Sequence, residues 1–275
     1  MRANYNARNI ALSAFYVNPR EVRRGRLDGT RGSQTFAGLY STYRGWKGTV
    51  FDFYGLSFEE TAPLVTAFHL YTIGGRLKGG HGNLLWEGEA ARQLGDFGAL
   101  NQRASMLSLS VGYKLAGLLP GRAVVRAFYD LASGDGKAGD KKRGTFNQLF
   151  PLAHAYLGFI DLVGRQNIKA LALRTVFHPA PRLTLNITGF SFGLARRNDG
   201  LYNAGGGRVR FDPTGAAGKD VGRELDVVAK IGVTPRIGLL FGYSRFWGGD
   251  FIDATNPPGV TGNARFFYTQ LTTRY

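Results

Sequence analysis

The chain has no cysteine, so it carries no disulfide framework, no thiolate metal site and no cysteine nucleophile. Long apolar runs are also missing. A membrane-spanning helix takes roughly 18 or more consecutive apolar residues. The longest charge-free stretches, residues 61–75 and 144–160, both contain histidine, and the second adds Asn, Gln and Pro. No secretory leader is visible, because Met1-Arg-Ala-Asn-Tyr-Asn is polar and no apolar segment follows it. The four histidines are not spaced as a metal pair, and no cofactor site is expected. Acidic residues are scarce, 19 against 35 basic ones, which leaves a net charge of +16.

What is present is glycine, 40 of 275 residues, and aromatic side chains at 13%. With 44% hydrophobic residues, the chain is not a disordered basic tail. Helical periodicity is nearly absent. Apolar residues recur with period two over segments of about 9 to 12 residues, the pattern of strands with one apolar face. Twelve such segments are expected: 9–17, 35–43, 50–57, 65–77, 84–94, 104–115, 123–131, 168–178, 183–194, 224–231, 237–247 and 264–275. In the sixth, Leu107, Leu109, Val111 and Tyr113 share one face; Met106, Ser108, Ser110, Gly112 and Lys114 share the other. The second face is mostly small or charged, which suits water better than a dry core.

Connections alternate in length. The segments 18–34, 132–167, 195–223 and 248–263 are long; 44–49, 78–83, 116–122, 179–182 and 232–236 are short. Two of middle length, 58–64 and 95–103, fall on the long side. Antiparallel neighbours therefore place all long loops at one end, as in an outer-membrane barrel with long extracellular loops and short periplasmic turns. The last segment places Phe267, Thr269, Leu271, Thr273 and the terminal Tyr275 on one face. Running it toward the periplasm makes the long loops extracellular. An antiparallel soluble sandwich or barrel is the alternative, but its connections need not alternate.

Two stretches carry a family likeness. The first is Gly144-Thr-Phe-Asn-Gln-Leu-Phe-Pro-Leu-Ala-His-Ala-Tyr-Leu-Gly-Phe-Ile-Asp-Leu-Val-Gly-Arg-Gln-Asn167. The second is Gly222-Arg-Glu-Leu-Asp226 with Gly242-Tyr-Ser-Arg-Phe-Trp-Gly-Gly-Asp-Phe-Ile252. Together they resemble the alginate export family of outer-membrane barrels, over residues 120–275 and by strand pattern alone before that. The resemblance implies a transmembrane, antiparallel up-and-down β-barrel of 18 strands with a signal peptide, exporting an anionic polysaccharide from the periplasm. About twelve strands are present, so residues 1–275 are expected to form one barrel domain lacking N-terminal strands and the signal peptide, in a Gram-negative outer membrane.

Ionisable side chains at membrane depth are costly against lipid and belong on the inner face of a barrel. Alternation assigns Lys114, Arg126, Asp130, Arg174, Glu224, Asp226 and Lys230 inward, joined by Glu87 and Glu89. A cationic lumen concentrates anions, and the planar arginine fork pairs with a uronate carboxylate. Arginines outnumber lysines 26 to 9. Arg126 and Arg174 are the leading conduit residues, because both sit mid-strand beside the 132–167 loop, which carries the further candidate Arg165. The acidic members would hold the arginines in place or merely pair across strands to fill the space. Loop arginines in 18–34 suit the phosphates of lipopolysaccharide; nucleic acid is not expected, since no single basic patch stands out. A periplasmic export machinery is a further expected partner. Two other readings are a porin for small anions and a lipid hydrolase. The hydrolase needs a Ser–His pair on the barrel surface; His69, the mid-strand histidine, is expected inward between Phe68 and Leu70, without a serine.

Overall fold

A computed structural model describes residues 1–275 apart from 64, 116–121, 138, 155 and 275. The turn expected at 116–122 therefore lies largely outside the described residues, as does the terminal aromatic Tyr275. In chain order the strands are β1 (Arg2–Asn6), β2 (Ile10–Val17), β3 (Arg20–Glu21), β4 (Gly29–Thr30), β5 (Gln34–Tyr43), β6 (Thr49–Glu60), β7 (Phe68–His81), β8 (Leu84–Phe97) and β9 (Leu100–Leu115). They continue with β10 (Ala123–Ala132), β11 (Lys142–Arg143), β12 (Ile168–Ala180), β13 (Leu183–Leu194), β14 (Leu201–Tyr202), β15 (Arg208–Arg210), β16 (Asp220–Gly232), β17 (Ile237–Gly248) and β18 (Ala264–Thr273). A short helix, α1 (Asp250–Thr255), interrupts the last loop. The main sheet runs β1-β2-β5-β6-β7-β8-β9-β10-β12-β13-β16-β17-β18, each strand antiparallel to the next along the chain, with β11 added parallel to β9. β3–β4 and β14–β15 are separate two-stranded ribbons in the loops.

All twelve period-two segments are strands of this sheet. β1 escaped the pattern because Arg-Ala-Asn-Tyr-Asn is only five residues long and offers just Ala3 and Tyr5 as alternating apolar positions; it is held by its register against β2. Long and short connections do segregate to opposite ends, with one correction. The 95–103 connection is a tight hairpin, since β8 continues to Phe97 and β9 starts at Leu100, with Gly98 at φ 59° between them. Among the described residues, β1 and β18 are the two ends of the path and do not pair with each other.

The sheet's two faces invert the arrangement of a soluble protein. On one face Leu39, Val111, Leu173 and Phe267 are 67, 57, 57 and 69% exposed. On the other, Asp52, Thr72, Gln93, Ser110, Asp130 and Asp226 are buried. An apolar band this continuous marks an interaction surface, and about ten residues of alternating strand match the hydrocarbon thickness. The polar face is concave. Phe150, in the loop after β11, packs 4.8 Å from Phe36 on β5 and 4.9 Å from Phe58 on β6. Phe159 of the same loop stacks 5.0 Å from Tyr268 on β18. One loop thus touches strands from both halves of the sheet, so the sheet curves round it.

The concave face is not wet throughout. At the loop end Phe146, Leu157, Val163, Phe190, Phe192, Val221 and Phe246 form a dry core. Loop side chains replace water there, which a strand-by-strand reading does not anticipate.

Candidate functional site

Below that dry core the concave face opens into a hollow of about 750 Å³ walled by β5 to β10 and β12. Six expected residues meet there: Arg126, Arg174, Asp130, Glu87, Glu89 and Arg165. Arg126 and Arg174 are direct cross-strand partners on β10 and β12. Arg126 donates from Nη1 to Ser110 Oγ at 2.9 Å. Arg174 donates from Nε to Thr188 Oγ1 at 3.2 Å and lies 5.0 Å from the Phe128 ring. Among the described residues neither has a carboxylate within 4.0 Å. Two facing cations with no carboxylate in direct contact repel each other and leave their remaining N–H groups for an anion.

The other charges are paired. Arg165 reaches Asp130 at 2.9 Å and lies over the Tyr156 ring at 5.0 Å. Arg76 bridges Asp52 at 3.5 Å and Glu87, Lys78 stands 3.6 Å from Glu87, and Glu89 accepts from the Tyr54 hydroxyl at 2.6 Å. Lys78 was missed because β7 runs on to His81, past the expected end at residue 77, and Arg76 because placing His69 inward turns the even-numbered residues of this strand outward. The face shared by Leu70 and Thr72 extends through them. A smaller cavity of about 360 Å³ lies between loop and wall, lined by the parallel rings of Tyr40 and Tyr54, by Tyr156 and by Arg165.

Four expected residues lie elsewhere. Lys114 shares the inward parity of Ser108 and Ser110 but is exposed near the turn end. Lys230 lines a separate turn-end hollow with Arg182 and Arg274. Glu224 and Asp226 are buried and hold the loop: Ile160 N–H donates to Glu224 at 3.1 Å and Phe159 N–H to Asp226 at 3.2 Å. They anchor backbone rather than position an arginine, because Gly158 brings the loop directly onto them. His69 is also corrected. Leu70 is the fully buried residue, so His69 faces the convex side, where its Nε2 lies 2.9 Å from Ser57 Oγ. Phe68 turns to the concave rim and packs on Phe58 and Phe97. Among the described residues the ring's Nδ1 has only the Tyr71 hydroxyl, at 3.4 Å, and no carboxylate within bonding distance to orient the pair, as a base would require.

Above the hollow the two longest loops are knotted at Asp199, which is 4% exposed. One carboxylate oxygen accepts from Thr145 Oγ1 at 2.6 Å and Asp135 N–H at 2.8 Å. The other accepts from Gly200 N–H at 2.7 Å and the Tyr202 hydroxyl at 2.8 Å. Burial, then the Asp199 charge, pushes the Tyr202 phenol up to about 12. Burial also raises the Asp135 carboxyl and lowers the Arg143 guanidinium. Because Tyr202 is raised above its ordinary 10.0, its stabilisation is complete below pH 10 and is lost as pH rises to about 12. The stability difference between wild type and Tyr202→Phe should be constant below pH 10 and shrink above it. Thermal melts across that range decide; a difference that grows with pH contradicts the assignment.

A family model for alginate export matches residues 1–266. No curated protein sequence matches the chain. Among solved structures, OccK11 (OpdR) of Pseudomonas aeruginosa is similar with a TM-score of 0.56 at 14% identity, over 98% of this chain and 68% of that one. The outer membrane protein OprD of Pseudomonas aeruginosa is similar with a TM-score of 0.55 at 13% identity, over the same 98% and 68%. At such identities the likeness is one of fold.

Proposed function

Because this chain belongs to the alginate export family and is an outer-membrane protein of porin-like fold, we propose that it conducts an anionic, uronate-type polysaccharide passively along its concave face. In this reading the sheet is the wall of a barrel, closed by pairing of its β1 and β18 edges directly or through further strands. Exposed edges of this length are templates for pairing. The observation that carries the reading is the facing pair Arg126 and Arg174, free of carboxylates among the described residues, beside Arg165 at the loop. Arginine forks suit carboxylates bidentately, and a confined cationic surface raises the local anion concentration. The Asp130 and Glu87 carboxylates restrain Arg165, Arg76 and Lys78, which keeps the polymer from binding too tightly to leave. Tyr40, Tyr54 and Tyr156 offer flat faces for the apolar side of sugar rings. A second reading, a pore for small anions, draws on the loop that crosses and narrows this path.

Planar-bilayer recording under a salt gradient, with and without uronate oligomers, tests both. Anion selectivity with oligomer block, weakened roughly tenfold when Arg126→Ala and Arg174→Ala remove two charge-assisted contacts, supports the polysaccharide path. An anion-selective pore indifferent to oligomers leaves the small-anion reading. A cation-selective pore removes both.

A further inference from the structure

Cations also stand on the convex face, where hydrocarbon is expected. Arg223 on β16, Arg245 on β17 and Arg265 on β18 occupy adjacent strands. Glu224 beside the first, and Ser244 and Phe246 beside the second, are buried on the concave side, so Arg223 and Arg245 point outward. Arg265 shares the face of the exposed Phe267. Arg245 is the direct cross-strand partner of Arg265, and Arg223 pairs with Trp247, one step along the same face from Arg245. Arg245 lies 5.0 Å from the Trp247 ring. No carboxylate lies within 4.0 Å of any of the three among the described residues. Two arginines of the 18–34 loop differ: Arg23 is bound to Glu21 at 2.8 Å and Arg31 to Glu60 at 2.9 Å.

Position along the strand sharpens the point. All three lie within a few residues of the loop end, above Leu225, Tyr243 and Phe267. At the turn end of the same face stand Ile231, Leu239 and Leu271. Arg92, Arg103 and Lys169 repeat the pattern on β8, β9 and β12, outward and near the loop end. Like charges set opposite each other on neighbouring strands destabilise a sheet, and the repulsion grows beside a low-dielectric phase. A counter-anion at the boundary between apolar band and water removes that penalty.

We propose that Arg223, Arg245 and Arg265 form a headgroup site for a phosphorylated lipid of the leaflet on the loop side. Its phosphate would take the guanidinium forks while its acyl chains lie on Leu225, Tyr243 and Phe267. This rests on the outer-membrane placement, not on what the concave face conducts. The transported polymer is no rival occupant, because the sheet separates it from these side chains.

The test uses the full chain in detergent, titrated with bis-phosphorylated lipid A, with its dephosphorylated counterpart and with inorganic phosphate, read by native mass spectrometry and thermal melting. Retention and a raised Tm with the phosphorylated lipid, and roughly tenfold weaker binding to the Arg223→Gln, Arg245→Gln, Arg265→Gln triple variant, support the site. Equal binding of the dephosphorylated lipid overturns it, as does an unaffected triple variant. The same shift with inorganic phosphate reduces it to an unspecific anion site and overturns the lipid claim. The two lipid arms decide on the wild type alone should the variant fold poorly. Bilayer conductance of the variant should equal that of wild type; this separates the rim from the conducting path.

Discussion

Gly158→Val should raise single-channel conductance several-fold while leaving the strand framework intact. Gly158 sits at φ +96°, and a Cβ added there would lie 2.5 to 2.6 Å from the Glu224 carboxylate. Glu224 is 2% exposed, so it has nowhere to move. The left-handed backbone costs a β-branched residue about 1 to 3 kcal/mol, and the clash is added to it. Relief comes by lifting the loop. That breaks the donations from Ile160 and Phe159 to Glu224 and Asp226, each worth roughly 0.5 to 1.5 kcal/mol, and it separates Phe159 from Tyr268. The start of the loop stays tied, because Gln102 donates to the Thr145 carbonyl at 2.8 Å and Gln93 to the Asn147 carbonyl at 2.7 Å. Only the middle of the loop therefore swings away from the concave face. Gly139→Val is the control: its φ is +82° but nothing lies within 4 Å of an added Cβ. Equal conductance of the two variants and wild type would show that the loop does not narrow the path.

The largest loss of stability is expected at Asp199. Asp199→Ala strands the Asp135 and Gly200 N–H groups and the Thr145 and Tyr202 hydroxyls in a buried site. Breaking a buried charged network costs on the order of 3 to 5 kcal/mol. Asp199→Asn should be little better. Each carboxylate oxygen takes one backbone N–H, so an amide nitrogen in either position faces a donor that cannot turn away. Both variants should lower the Tm and admit protease into residues 133–167 and 195–219, with cleavage ahead of global unfolding. Protection equal to wild type would mean that other contacts carry the knot. Asn167 is the main alternative carrier, since its Nδ2 donates to the Arg196 and Gly200 carbonyls at 3.0 Å each.

The strand pattern was readable because period two is local. Leu107, Leu109, Val111 and Tyr113 declare one face by spacing alone, and that face is the exposed apolar one. Arg126, Asp130 and Arg174 fall on the other face for the same reason. Errors concentrate where a distant segment changes what a face meets. Phe68 reads as a lipid-facing neighbour of His69, yet it packs against Phe58 and Phe97 at a rim that Phe150 keeps dry. Glu224 and Asp226 read as charges facing water, yet backbone from residues 159 and 160 covers them. The helix Asp250–Thr255 gave no signal, being six residues long with no side-chain cap.

The sequence by itself determined an antiparallel, all-β chain with one apolar and one polar face, its long loops gathered at one end and Arg126 and Arg174 placed mid-strand on the polar face. Each of these follows from the alternation of side chains about an extended backbone, which needs no knowledge of partners. Only the tertiary structure decided which charges meet an open hollow and which are spent holding a loop. Curvature brings β5 and β18 against one segment, and the contacts of residues 145–166 with strands far away in the chain depend on that curvature. Spacing along a strand can say which face a side chain takes, but what waits on that face is set by pieces of chain that arrive from elsewhere.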